Sequence, residues 1–283
     1  MAAKGIVDDM PASQKYPYPT SDQPNNLTDE DLQFLSLYTG QKDLHLLREH
    51  VIKIWRSVKH TLWVYRCIQE LMFLQPRIPR HPSYPEVKAA LLADKTKPFL
   101  DLGCCFGQDT RQLILDGVPE SSITATDITP DYWEFGKKLF MDPDRLSVRT
   151  AWGSFTDSQY IHSGPLSPMT GRFAYVWAGA VLHVLTAADV KAFITNVHTV
   201  LAPGGTFLGT CVGQDPPGEW ADAPGGTGKR YLHREETLTA LLKEAGYTDI
   251  SMERDRSSGA IERQEDLSTF GNQKIILIFA ATK

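Results

Sequence analysis

The sequence predicts an α/β fold, an open and mostly parallel sheet with flanking helices, entered through a helical segment. Three observations lead there. The stretch 98–127 reads as strand, glycine turn, helix and strand, each strand ending on an acid, Asp101 and Asp127. From Phe173 onward, strand-length apolar runs alternate with segments of helical period. Between residues 28 and 95 the apolar residues recur at helical spacing.

Composition narrows the class. With 283 residues the chain is one large domain or a domain with an appendage, and 42% hydrophobic residues suffice for a core. A net charge of −5 and a pI near 5.9 weigh against a general nucleic-acid or anionic-membrane binder. Cys67, Cys104, Cys105 and Cys211 have neither CxxC nor Cys/His spacing, and the eight histidines form no metal-binding pattern, so no metal is expected. A reduced intracellular protein follows. The opening residues lack a charged-then-apolar signal and no apolar run is long enough to span a bilayer, so a soluble, cytoplasmic protein is expected.

Residues 1–27 are polar, with repeated Pro and Asp, and are expected to be mobile or draped on the surface. Thr28, with Asp31 three positions on, reads as a helix start. Leu44, Leu47, Val51, Ile54 and Val58 mark a helix over 43–58; Tyr65, Ile68 and Met72 suggest another, ended by Pro76; a short one follows Pro85, from Glu86 to Leu92. Residues 28–95 are thus a helical cap, lying over a ligand cleft or only covering a sheet edge. Arg56, Lys59, His60 and Arg66 give it a basic bias, which would draw an anionic substrate or is simply a solvated face.

The unit after Pro98 carries the chemistry. Phe99 and Leu100 lead to Asp101; the turn is Gly103-Cys104-Cys105-Phe106-Gly107; a helix with Leu113 and Ile114 closes at Asp116-Gly117; Ile123 to Thr126 ends on Asp127. A dinucleotide fingerprint needs glycines at 103, 105 and 108, but Cys105 and Gln108 stand there; a P-loop needs Gly-Lys-Ser/Thr, and Gly107-Gln108-Asp109 is not that. The remaining pattern is acid-x-Gly-x-Gly-x-Gly, the S-adenosylmethionine (SAM) turn of class I methyltransferases. Asp101, Gly103 and Gly107 match it and Cys105 departs, which suggests that the backbone at 105 is not at positive φ. SAM has no phosphate to demand a lysine, and Asp127, 20 residues beyond Gly107, stands where a ribose-reading carboxylate belongs. The plain alternative is a strand–turn–helix with ordinary turn glycines.

Downstream, Thr129 can cap a helix beginning at Pro130. Trp133 and Phe140 are read as packing on the sheet, with adenine stacking by Trp133 the sharper alternative, and Ile128 is placed to lie against adenine. Leu146 to Ala151 reads as the third strand, with Trp152, Gly153 and Ser154 at its C-terminal end; Gly153 and Ser154 are candidates to meet the adenine edge through backbone N–H and hydroxyl. Phe173 to Trp177 is the fourth strand and leads to His183; Asp189 to Leu201 is a helix, and Leu201-Ala202-Pro203-Gly204-Gly205 turns into strand five, Thr206 to Thr210. Residues 214–229 read as a Gly/Pro-rich lid or substrate loop holding Trp220. A helix opening at Tyr231 and two strands, Ile250 to Glu253 and Lys274 to Ala281, complete a reversed terminal hairpin; polar residues 255–272 connect them.

Residues 98–283 resemble class I SAM-dependent methyltransferases. DLGCCFGQD with DITPDYWEFGKKLF resembles the fungal O-methyltransferases of meroterpenoid and related secondary-metabolite clusters, and that likeness extends over the helical segment. It implies a Rossmann-like seven-stranded methyltransferase sheet (96–283) behind an N-terminal helical cap, with SAM as cofactor. It implies methyl transfer to oxygen, commonly a carboxylate of a prenylated aromatic polyketide, giving a methyl ester. By the same likeness Asp127, Ile128, Trp152, Gly153 and Ser154 would contact SAM.

The acceptor decides the catalytic demand. A carboxylate is ionised at neutral pH and needs no base, whereas a phenol, with a pKa of about 10, benefits from one. His183, at the cleft edge after strand four, is the first candidate for a base or an orienting donor; its alternative role is to close the loop onto the next helix. A small-molecule acceptor is expected and a homodimer is left open. Ala178-Gly179-Ala180-Val181 stands where a base-modifying enzyme would carry Asn/Asp-Pro-Pro-aromatic. A non-catalytic SAM- or nucleotide-binding module and a nicotinamide oxidoreductase are the readings from other classes.

Overall fold

The computed structural model describes residue 24 and residues 27–222, 228–255 and 273–283. The expected mobile segment 1–27 and the connection 255–272 therefore fall almost wholly outside the described residues. Seven strands form one sheet: β1 (Phe99–Leu102), β2 (Ile123–Asp127), β3 (Arg149–Trp152), β4 (Phe173–Gly179), β5 (Leu201–Asp215), β8 (Thr248–Asp255) and β9 (Gln273–Thr282), in the order β3-β2-β1-β4-β5-β9-β8. β1 to β5 are parallel, and β9 runs antiparallel to both neighbours, β5 and β8. The reversed terminal hairpin is thus present, with its second strand wedged inside the sheet.

Side-chain alternation sorts the core into two faces. Phe99, Ile123, Ala125, Trp177 and Leu208 point to one, where α4 (Tyr84–Ala93), α5 (Gln108–Leu115) and α6 (Asp131–Leu139) bring Tyr84, Leu113 and Trp133. Leu100, Val176, Ala178, Phe207 and Leu277 point to the other, under α7 (Ser158–His162), α8 (Ala187–Val200) and α9 (Glu235–Glu244). No described helix is long and apolar enough to cross a membrane.

The N-terminal helical segment, for which the label cap is kept, forms a third core with the glycine turn and α6. Its Thr28–Asp31 pair makes the expected reciprocal bonds (2.9 and 3.3 Å), but they close a turn, and α1 (Gln33–Thr39) begins later. α2 (Leu44–Thr61) starts where Asp43 accepts the His45 and Leu46 N–H groups, and it buries Leu47, Val51, Ile54 and Val58 together with Trp55. The single helix expected through Met72 is broken into α3 (Arg66–Gln69) and a 3-10 turn (Met72–Leu74), because Leu71 takes φ +56°. Phe73 stacks on Phe106 of the glycine turn, ring centroids 4.3 Å apart. Phe140 belongs to this core and not to the sheet: it meets Tyr38 edge-on at 5.6 Å.

Three further expectations are corrected. Residues 214–229 are not one loop. β5 continues to Asp215, and β6 (Gly218–Asp222) pairs with β7 (Lys229–Leu232) in an antiparallel hairpin, with Trp220 opposite Arg230. Residues 223–227 lie outside the described residues. Tyr231 opens no helix, because its N–H donates to the Leu185 carbonyl at 3.0 Å and holds it in the hairpin. Pro203-Gly204-Gly205 is part of an irregular start to β5, with Gly204 at φ +73° and a register shift against β4.

One buried ion pair ties these layers together. Arg111 and Asp142 are fully buried and bidentate, 2.8 Å for each bond. Arg111 also donates to the carbonyls of Phe106 (2.7 Å) and Gly107 (3.1 Å), and Tyr38 of the cap donates to Asp142 at 2.8 Å. Asp142→Ala would leave a buried guanidinium without its counter-charge, so a loss of about 3–5 kcal/mol is expected in urea unfolding. A loss below about 1 kcal/mol, the scale of an exposed pair, would show that the pair does not hold the cap.

Candidate active site

The site candidates gather at the C-terminal ends of β1, β2 and β3. Gly103 and Gly107 lie at φ +73° and +71°. Space forbids a side chain at both: a Cβ would stand 2.4 Å from Val181 at Gly103 and 2.5 Å from Trp133 at Gly107. Cys105, expected outside positive φ, is at +51°. A left-handed L-residue costs about 1–2 kcal/mol. Two contacts offset it: the Cys105 N–H donates to Asp127 at 2.8 Å, and the side chain packs into the cap core.

The two acids differ in use. Asp101 is buried, and one of its oxygens accepts both the N–H (3.1 Å) and the hydroxyl (2.6 Å) of Thr110, fastening α5 to β1. Burial, then the charge of Asp109, pushes its pKa up to about 7. Asp127 is half-buried with an enclosed carboxylate. Oδ2 accepts from Cys105 and Oδ1 from Ile128 N–H at 2.7 Å, so each oxygen keeps a lone pair for a further donor. Burial raises its pKa to about 6 against the pull of those two bonds.

Around Asp127, Ile128 is 62% exposed and offers an uncovered apolar surface. Trp152 is half-buried, its ring 6.1 Å from that of Trp133. Trp133 is buried against Gly107 and beneath the Arg111 guanidinium at 5.3 Å, a packing position that leaves it no ring face for a ligand to stack on fully. The Gly153 N–H donates to the Asp127 carbonyl at 3.0 Å, and a Cβ there would meet Tyr160 at 2.3 Å. Gly153 therefore shapes the turn and does not present its N–H to a ligand. The Ser154 hydroxyl pairs with Thr156 at 2.8 Å.

Two residues escaped sequence reasoning. Gln108 is buried at the start of α5, and its amide oxygen has no hydrogen-bond partner among the described residues. The only signal was a polar residue directly after Gly107. Asp109 accepts from the Arg77 and Ile78 N–H groups (2.6 and 2.9 Å) and from Trp177 Nε1 (3.0 Å), joining cap, α5 and β4. Nothing in its spacing marked it.

His183 stands apart from this group, on a 3-10 turn (Leu182–Val184) after β4. Its Nδ1 accepts the Val212 N–H at 3.5 Å. Burial, then the charges of Arg230, Arg77 and Lys274, pushes its pKa down to about 3, so the imidazole is neutral near physiological pH.

Residues 99–205 match the family described as "Methyltransferase domain". The chain is 30% identical over 201 residues to the O-methyltransferase phiE of a fungal strain, covering 69% of this chain and 65% of that protein. It is 30% identical over 206 residues to the O-methyltransferase atr3 of Stereocaulon alpinum, covering 71% and 57%. It is 36% identical over 150 residues to the methyltransferase adrK of Penicillium rubens, covering 52% and 51%. The chain thus spans about half to two-thirds of the length of the curated relatives it matches. Among solved structures the chain is similar to a phosphoethanolamine N-methyltransferase of Haemonchus contortus (16% identity, TM-score 0.49, 70% of this chain and 52% of that one). An S-adenosylmethionine-dependent methyltransferase of Mesorhizobium loti is another (18%, TM-score 0.48, 73% and 100%). Likeness at that level says nothing about the acceptor. Residues 99–205 thus carry a methyltransferase domain, and the parallel strands with their acids, the glycine turn and the inserted antiparallel β9 set it in the fold of the class I SAM-dependent methyltransferases.

Proposed function

We propose that the chain transfers the methyl group of SAM to an oxygen of a small hydrophobic secondary metabolite. We propose further that this oxygen belongs to a carboxylate, that of a prenylated aromatic polyketide, so that the product is a methyl ester. The relatives named as O-methyltransferases support oxygen as the acceptor atom. The state of His183 supports the carboxylate. A phenol at a pKa of about 10 would have to give its proton to an imidazole at about 3. That transfer runs steeply uphill, because burial and neighbouring cations hold the imidazole far below the phenol. A carboxylate arrives ionised. Its oxygen supplies the electron pair of the new O–CH3 bond, no proton is released, and the broken S–CH3 pair stays on sulfur.

The cofactor residues fit this reading. Asp127 keeps acceptor capacity for a ribose diol, and the unpartnered Gln108 amide oxygen suits an ammonium donor. Gly103 and Gly107 keep the turn clear of side chains, Ile128 and Trp152 offer apolar walls for adenine, and Asp101 holds α5 in place. Bound SAM supplies an already electrophilic methyl group, so the protein's task is to hold the acceptor oxygen in line, which contributes about 7–11 kcal/mol in favourable cases. Residues 28–95 are proposed to close that cleft as a cap, with His183 as an uncharged group orienting the acceptor.

Incubation with SAM and a series of prenylated aromatic acids and phenols is expected to give base-labile methyl esters by mass spectrometry. Base-stable ethers alone would sink the carboxylate reading. His183→Asn is expected to keep kcat within about tenfold, since removing a general base costs 10²–10⁴. A loss of that larger size would restore the base. Titration calorimetry should show SAM binding and no NADH signal. Because Asp127 accepts hydrogen bonds as a carboxylate, SAM affinity should fall as pH drops through about 6, and Asp127→Asn should weaken binding and remove that dependence. An unchanged profile in the variant would remove Asp127 from the ribose site.

A further inference from the structure

The β5–β9 ladder runs past the end of β4. Pairing of β4 with β5 stops at Gly179 and Thr210, whereas β5 and β9 continue through Val212–Ile276 and Gln214–Lys274. By alternation Val212, Ile276 and Lys274 share one face, the one that carries Leu208 and Ala280 farther back. Leu208 is covered, but these three are only half-buried. His183 meets the same stretch at the Val212 N–H, where β4 would otherwise have continued.

The β6–β7 hairpin stands against this strip. Tyr231 donates to the Leu185 carbonyl at 3.0 Å, and Arg230 bridges to Thr186, so the hairpin is sewn to the segment that follows His183. The ring of Trp220 has the Arg230 guanidinium at 4.8 Å and the Lys274 ammonium at 3.8 Å. Lys274 thus rests on an aromatic face and makes no ion pair with a carboxylate among the described residues. Two cations, one half-buried indole and an apolar strip lie beside a neutral histidine, in a chain whose net charge is negative.

We propose that Lys274, Arg230 and Trp220 form the subsite for the anionic end of the acceptor, with Val212 and Ile276 as its apolar floor, and that this subsite selects hydrophobic acids. The inference rests on the carboxylate reading above and assigns the residues that impose it. One carboxylate oxygen held by a cation leaves the second free to accept the methyl group. Burial, with Arg66 and Arg230 nearby, lowers the Lys274 pKa to about 8 against the opposing charge of Glu70, so the holding charge disappears as pH rises through that value.

The test uses the full chain, SAM, a prenylated dihydroxybenzoic acid as acceptor, and the carboxamide of that acid as inhibitor. Lys274→Met is expected to raise KM for the acid about 10- to 100-fold, the span of a charge-assisted contact. Its kcat should stay within a few-fold, and its SAM affinity, which reports the fold, should not change. Lys274→Arg should restore most of the loss. Inhibition by the carboxamide should be the same in Lys274→Met as in the wild type. In the wild type kcat/KM should fall above about pH 8, and in Lys274→Arg that limb should vanish; Arg66, Glu70, Arg230, Arg77 and His183, the charged and titratable groups around the strip, are the same in both. Wild-type ester formation with an unchanged KM in Lys274→Met would overturn the subsite alone. Wild-type enzyme that methylates only neutral phenols would overturn the carboxylate reading, and the subsite with it.

Discussion

The bidentate pair of Arg111 and Asp142 is the contact on which the other parts depend. Two charges out of water are costly, and only full hydrogen bonding makes such a pair tolerable. Here Asp142 accepts three donors, and the guanidinium also reaches two carbonyls of the glycine turn and faces the Phe140 ring at 4.4 Å. Satisfying one ion pair therefore sets the positions of the turn, of α5, of the chain after α6 and of the first cap helix together. Asp109 makes a second joint of the same kind, holding Arg77 and Ile78 of the cap against Trp177 of the sheet. Cap and sheet share these buried polar groups, and neither could shift without stranding a charge.

Electrostatics divides the C-terminal edge of the sheet into two regions. Around β1 and β2 are carboxylates whose pKa values burial has raised, Asp101 and Asp127, and at the start of α5 stands the Gln108 amide oxygen, without a partner among the described residues. In the proposed reading that end would accept hydrogen bonds from the ammonium and diol of the cofactor. Beyond β4 the sign reverses: Arg77, Arg230 and Lys274 surround a histidine that they help to keep neutral. The proposed acceptor would meet cations there. A site that keeps its acceptors of hydrogen bonds at one end and its positive charge at the other can hold a cationic donor and an anionic acceptor side by side.

Much of this arrangement was legible in the chain. The acids ending β1 and β2, the glycines at 103 and 107, and the apolar faces of α2 and α8 follow from turn chemistry and from the periods of strand and helix, which act over a few residues. The misreadings share a cause. Cys105 was expected away from positive φ, and only its bond to Asp127, from another strand, makes that conformation worth its cost. Phe140 was expected on the sheet and found partners in the cap. Residues 214–229 look like a loop by composition, and half of them become strands because β6 finds β7 and β7 finds Leu185. Gly153 was read as a donor to the ligand, and its N–H is taken by Asp127.

The sequence by itself determined the α/β class, the parallel run of acid-ended strands, the helical character of the N-terminal segment and the likeness to methyltransferases. These properties are written in local spacing. Only the tertiary structure decided which carboxylate fastens a helix and which keeps acceptor capacity, and which of two buried polar residues after Gly107 has an oxygen without a partner among the described residues. It alone decided that His183 is a weak base among cations, because a pKa depends on burial and on charges brought in from β7, β9 and the cap, far away along the chain and near only once it has folded.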